Sequence, residues 1–386
     1  MQQDEENQAE KLQLSDSFIQ NFDSINDPRR QAGLRHPLIN VLFIAICAII
    51  CGADDWYAIE RFGKAKKSWF EKYLDLKHGI PSHDTFGDVF SILDPEQFSE
   101  AFIQWMQMIA TISGVIALDG KTIRRSFDKS LGKTAIHLVS AWSQVNHLIL
   151  GQVKVDDKSN EITAIPALLR LLVIKGALIT IDAMGCQTEI AKQIVDQQGD
   201  YLLAVKNNQK HLYQDIEHLF KHATAENFQS EQFDAAKTVS KGHGRIEIRN
   251  CQVISDPIWL AHLRGRKLWK NLISIVKVEC ERRINGKTGN RESRFYICSR
   301  DLSASELLNA ARAHWGVENN VHWVLDVVFN EDNHRARIGN SSENMSMMRR
   351  LAINMLNQEK SRKDSLKGKR QVAGWDESYL EQIVFS

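Results

Sequence analysis

A mixed α/β fold entered through an all-helical segment is what this sequence predicts, on three observations. Up to about residue 112, apolar and aromatic residues recur at three- and four-residue spacing, the period of amphipathic helices. From Val115 the pattern changes to short apolar runs rich in β-branched residues, first three in succession and then alternating with helix-like stretches, as a helix-covered sheet requires. A further β-rich set lies at about residues 230–300, before a strong helical pattern returns.

The helical segment can be read in order. Residues 38–51, LINVLFIAICAIIC, are nearly all apolar but number only 14. A membrane span needs about 20, so a buried core helix entered through Pro37 is predicted and no membrane is expected. Trp56, Ile59, Phe62, Trp69, Phe70 and Tyr73 then mark an amphipathic helix pair. Gly79, Ile80 and Pro81 break the pattern, and Ser82 or Asp84 can cap the next helix. Asp94 and Pro95 open another, expected to run to about Ile112, and Ser113 and Gly114 mark a boundary. The predicted division is therefore a helical domain over residues 1–112 and a sheet domain over 113–386.

VIALDG, AIHLVSAWS and HLILGQVKV read as three consecutive strands of an antiparallel meander. EITAIPALLRLLVIK reads as a helix despite Pro166, ALITIDAMG as a strand, TEIAKQIVDQQG as a helix ended by glycine, and YLLAVK as a strand. Three strands, helix, strand, helix, strand is the order of a ribonuclease H-like mixed sheet. The β-rich insertion follows, with RIEIRNCQVI, NLISIVKVECERRI and SRFYICS as strands and a hairpin turn in INGKTGN. After it, SASELLNAARAHWGVENNVHWVLDVVF is helical, opened by a capping box of Ser303 and Glu306.

Composition bounds the functional classes. A chain of 386 residues with 43% hydrophobic content buries a large core. Its six cysteines form no C-x-x-C pair, so neither a zinc ribbon nor a disulfide framework is predicted, and a reducing cytoplasm fits. The start, MQQDEENQAEKLQ, is acidic and polar where a secretory signal would be basic and then apolar. A net charge of +1 lacks the strong basic balance of a dedicated nucleic-acid binder, but residues 241–300 hold 14 Lys or Arg against 5 acids and residues 349–370 hold 8 against 2. Such clusters are either solvated surface or a phosphate footprint.

Three acids stand out. Asp119 in VIALDGK and Asp182 in ALITIDAMG are predicted at strand exits, and Glu318 on the later helix. An Asp-Gly pair after a strand is ordinarily a turn. Asp182 differs, because Ile179, Ile181 and Ala183 leave its charge in an apolar stretch where a carboxylate needs a partner or a cation. In the predicted sheet the first and fourth strands are neighbours, which sets the two aspartates side by side. Three carboxylates on rigid elements suit a two-metal site that cuts phosphodiesters. His314, Glu318 and His322, four apart, share a helix face and invite a zinc reading, which the lack of a nearby cysteine or second His pair disfavours. Trp315 and Trp323 are read first as core packing, with base stacking as the alternative.

The motifs GIPSHDTF (79–86), ALDGKTIRRS (117–126), KSNEITAIPALL (158–169), TIDAMGCQ (180–187), YLLAVKNNQ (201–209) and HWGVENNVHWVLDVVFNED (314–332) carry a resemblance that extends over nearly the whole chain. In them it resembles the DDE transposases of bacterial insertion sequences, in the group of H-repeat-associated proteins found beside Rhs elements. The resemblance implies that Asp119, Asp182 and Glu318 are the catalytic and metal-holding triad, with two Mg²⁺, or Mn²⁺ in their place. It implies cutting at element ends and joining of the 3′-hydroxyl to target DNA. The implied partner is double-stranded DNA, engaged as a homodimer in the cytoplasm at the nucleoid, with the helical segment a candidate for end recognition. Candidate DNA contacts are Lys121, Arg124, Lys206, Gln209, His314 and Trp315. One departure is Asn207, where relatives often carry glycine. A DNA-binding remnant without catalysis and a plain metal-dependent nuclease are the alternatives.

Overall fold

The computed structural model describes residues 21–385 apart from 31, 33, 111–112, 128–131, 133, 157–158, 226–231, 243 and 285–286. The acidic start, the expected boundary at residue 112 and the tip of the INGKTGN turn lie outside the described residues. Helix Leu38–Ile50 follows Pro37 and buries every residue except Ile39, the predicted core helix. Among the described residues no helix is long and apolar enough to cross a membrane. Asp55 caps Trp56–Ala65, Ser82 caps His83–Ile92 through Thr85 N, and Asp94 caps Pro95–Ile109. The last helix ends before the predicted Ile112.

Among the described residues nine strands form one mixed sheet: β1 (Val115–Thr122), β2 (His137–Ser143), β3 (Leu148–Lys154), β4 (Leu178–Ile181), β5 (Asp200–Val205), β6 (Phe233–Gly242), β7 (Arg245–Ile254), β8 (Ser274–Ile284) and β9 (Lys287–Cys298). Their order is β3-β2-β1-β4-β5-β9-β8-β7-β6. The first five make the predicted ribonuclease H-like core, with β1, β4 and β5 parallel and β2 and β3 antiparallel. The insertion does not stand apart: β9 pairs with β5, Leu202 opposite Cys298, and prolongs the same sheet.

The sheet is covered on both faces. Leu178 and Leu202 pack with Leu307 and Leu308 of helix Ala304–His314, while Ile179 and Leu203 belong to the larger core with Val41, Phe102, Leu168 and Leu351. Strand alternation sends successive residues to opposite faces, so helix Ala304–His314 lies over the face toward which the even-numbered residues of β4 point. Its capping box of Ser303 and Glu306 is present as predicted.

Helix Ser341–Gln358 is buried nearly all round despite its polar sequence. Asn344 Nδ2 donates to the Phe90 and Leu93 carbonyls at 2.9 Å each, holding the N-terminal helices. Asn354 accepts from Ile149 N and donates to Ile149 O, both at 2.8 Å, filling the free edge of β3 as a neighbouring strand would. The basic run 349–370 is therefore no phosphate footprint as a whole. Arg349, Arg350, Lys369 and Arg370 are buried and spend their charge internally, on Glu331, on Glu359 and on the Ile49 and Val328 carbonyls. In the insertion Glu247 is flanked by Arg245 and Arg282, and Glu281 by Arg283 and Arg291, which neutralises part of that excess.

Candidate active site

Parallel pairing of β1 with β4 places Leu118 opposite Ile181 and Ala117 opposite Thr180. One residue further, Asp119 and Asp182 stand side by side and project to the face that helix Ala304–His314 covers. Only Asp182 is at a strand exit. β1 continues to Thr122, and Asp119 sits within it opposite Ser140. The Asp-Gly pair is thus not a turn. Gly120 is required by crowding: a Cβ there would lie 2.1 Å from Glu161 Oε1 and 2.6 Å from His137 Nε2, two groups that bond each other at 2.7 Å. Gly120→Ala is expected to push this pair apart and cost about 1–3 kcal/mol of stability, the usual range for overpacking, readable as a lower denaturation midpoint at unchanged slope.

The loop after Asp182 is held from two sides. Asp182 Oδ1 accepts from Met184 N at 2.9 Å and Gly185 N at 3.4 Å, leaving its other oxygen for a ligand. Asn208 Nδ2 donates to Ala183 O at 2.5 Å and Gln209 Nε2 to Cys186 O at 2.9 Å. Gln209 is therefore turned into the loop, where it positions Asp182. Lys206 is exposed at the end of β5 beside them.

Glu318 follows helix Ala304–His314 and opens a π-helical turn, Glu318–His322, that leads into helix Trp323–Val327. His322 Nδ1 comes to 3.6 Å from Asp119 Oδ2 and 3.5 Å from Glu318 Oε2, whereas His314 Nδ1 faces Thr180 Oγ1 at 3.2 Å. Single ligand atoms of Asp119, Glu318 and His322 all lie within 4.8 Å of one another. Glu318 is 57% exposed, so the cluster opens to solvent.

Electrostatically the site is over-supplied with negative charge. Burial pushes Asp119 up to about 7, Glu318 adds to the effect, and Asp182 and Glu161 raise it further against one Gly120 backbone hydrogen bond. His322 is driven down to about 3 by burial, then by Arg350 and Lys121, so it stays neutral. Burial likewise lowers His314. Clustered carboxylate oxygens suit hard divalent cations, and a neutral imidazole is compatible with them.

The other sequence candidates separate. Lys121 is 7% exposed and gives its ammonium to Asp326 at 2.6 Å and Asp332 at 3.5 Å, so its charge points into the protein. Arg124 is 83% exposed, with Asp332 3.3 Å from its Nε. Trp315 and Trp323 are not core residues: they are 45% and 55% exposed, and the Arg294 guanidinium lies 4.0 Å over the Trp315 ring. Sequence reading missed His137, Glu161 and the inward ion pairs of Lys121. Glu161 lies in KSNEITAIPALL, but nothing in one sequence pairs it with a histidine 24 residues away.

Residues 111–355 match the family described as "Transposase DDE domain", and residues 19–106 match "DDE_Tnp_1-associated". "Putative transposase YncI" of Escherichia coli O157:H7 is 42% identical over 96% of this chain and 95% of its own length. "H repeat-associated putative transposase YhhI" of Escherichia coli K12 is 41% identical over 95% and 97%. The piggyBac transposase synaptic complex with hairpin DNA aligns over 96% of this chain and 80% of that one, with TM-score 0.45 and 10% identity. With a family match across well over half its length and relatives alike from end to end, this chain belongs to the DDE transposases.

Proposed function

We propose that the protein cuts phosphodiester bonds at the ends of an insertion sequence and joins the freed 3′-hydroxyl to target DNA, with Asp119, Asp182 and Glu318 holding two Mg²⁺, or Mn²⁺ in their place. What supports this reading is the meeting of Asp119 and Glu318 at His322 on a solvent-open part of the sheet, with the parallel register of β1 and β4 carrying Asp182 toward Asp119. Bound cations would neutralise the scissile phosphate's charge and activate the attacking water or hydroxyl. The chain's own task is to keep the carboxylates in place: β1 fixes Asp119, the braced 183–187 loop fixes Asp182 and the π turn fixes Glu318. Phosphoryl transfer asks for positioning and charge stabilisation more than covalent help, so one site can serve both cutting and joining.

Double-stranded DNA, as element ends and as target, is the proposed substrate, engaged by a homodimer. Lys206 and the stacked Arg294–Trp315 pair are exposed and suited to phosphate and base contact. Arg124 is exposed too, although Asp332 shares its charge. The helical residues up to 112 are proposed to recognise the ends. The test is a duplex carrying the element's terminal repeat, incubated with protein, Mg²⁺ and target DNA. Cleavage and joining are expected, and Glu318→Gln should lower both by about 10³-fold or more while retaining DNA binding. Cleavage without joining would reduce the protein to a nuclease, and binding without cleavage to a remnant.

A further inference from the structure

The side chain of His322 is nine-tenths buried, yet it makes no hydrogen bond to any described residue. Its Nε2 has no partner, and its Nδ1 stands 3.6 Å from Asp119 Oδ2 and 3.5 Å from Glu318 Oε2, too far for hydrogen bonds to either. A buried polar group without a partner is costly and calls for an explanation. Two atoms that ligate one ion at about 2.1 Å stand roughly 3.0–3.4 Å apart. The Nδ1 spacing to both carboxylates, 3.6 and 3.5 Å, is close to that.

We propose that His322 ligates one divalent cation through Nδ1, jointly with Asp119 and Glu318, so that the metal site is a mixed nitrogen and oxygen site and not purely carboxylate. The proposal rests on the carboxylate reading above and adds a selectivity to it. Mg²⁺ favours oxygen, whereas imidazole suits transition metals, in the order Mn²⁺ below Co²⁺ and Ni²⁺. The subsite shared by Asp119, Glu318 and His322 therefore binds Mn²⁺ more tightly than Mg²⁺. Asp182, outside this group, serves the second ion. His314, spent on Thr180, takes no part.

The experiment is pulsed electron paramagnetic resonance of Mn²⁺ bound to the full-length protein, without DNA, together with Mn²⁺ and Mg²⁺ titrations by calorimetry. Wild type should show ¹⁴N modulation from a directly coordinated nitrogen. His322→Gln, its fold checked by circular dichroism, should lose that signal and bind Mn²⁺ about tenfold more weakly, with Mg²⁺ binding changed far less. His314→Gln should keep the signal. Mn²⁺ bound to wild type, and weakened by Glu318→Gln, but without nitrogen coupling overturns His322 as a ligand and leaves the carboxylate site standing. A failure of wild type to bind Mn²⁺ or Mg²⁺ overturns both. The wild-type spectrum alone decides the point if the variant does not fold.

Discussion

Asp119→Asn is expected to abolish DNA cleavage and, at the same time, to make the metal-free protein more stable at neutral pH. The two effects have one cause. Burial, with Glu318 and Asp182 close by, raises the folded-state pKa of Asp119 to about 7 from an ordinary value of 3.8. Between those values the folded protein holds a proton that the unfolded chain has released. Stability from this group is therefore full below about pH 4, falls as pH rises, and is lost above about pH 7, a swing on the order of 4 kcal/mol. Asparagine keeps the shape and removes the charge. Thermal unfolding at pH 5 and pH 8, with and without Mg²⁺, checks this. Wild type should lose stability toward pH 8 and regain it with Mg²⁺, while the variant should be flat in pH and blunted in its metal response. A variant less stable than wild type at pH 8, still fully stabilised by Mg²⁺, would show that Asp119 is not at the metal site.

Arg350→Met is expected to destabilise the protein by about 3–5 kcal/mol, the cost of leaving a buried ionic partner uncompensated. Glu331 and Arg350 are both fully buried, with Arg350 Nη1 3.1 Å from Glu331 Oε1 and Ser346 Oγ donating to that oxygen at 2.9 Å. Arg350 Nε reaches Ser140 Oγ at 3.3 Å, and Ser140 is the register partner of Asp119. The pair thus braces the strand behind the candidate site as well as the core. Urea denaturation of Arg350→Met, Glu331→Gln and the double variant measures it. The double should be less destabilised than the sum of the singles by about 2 kcal/mol or more, as residues in one ionic network couple. Additive losses would mean that the two side chains act separately.

What was legible in the sequence is what local chemistry decides. Ser82, Asp94 with Pro95, and Ser303 with Glu306 announce helix starts because capping is an affair of three or four residues. The apolar strands announce the sheet, and their order puts Asp119 beside Asp182. What was illegible depends on distant partners. β1 runs on past Asp119 because β2 is there to pair with it. β6 escaped notice because FDAAKTVSKG is largely solvated and carries no apolar run. Helix Ser341–Gln358 hid because it is buried all round, with Asn344, Arg350 and Asn354 as deliberate polar contacts, so no amphipathic period marks it. Trp315 and Trp323 look like core residues by type but stand half exposed, Trp315 beneath the Arg294 guanidinium. Four-residue spacing held for Glu318 and His322, which meet at 3.5 Å, while His314 turns to Thr180.

Helix Ser341–Gln358 also sets a condition on how a gene of this kind can decay. All three acids are encoded before residue 341, so a frame broken just after Glu318 would still read as an intact triad. Its product would lack the asparagine that closes the β3 edge and the one that fastens Phe90 and Leu93, leaving those backbone groups and a wide apolar surface open to water. Completeness of the reading frame to about residue 358, more than survival of the three carboxylates, should decide whether a copy yields a folded protein at all.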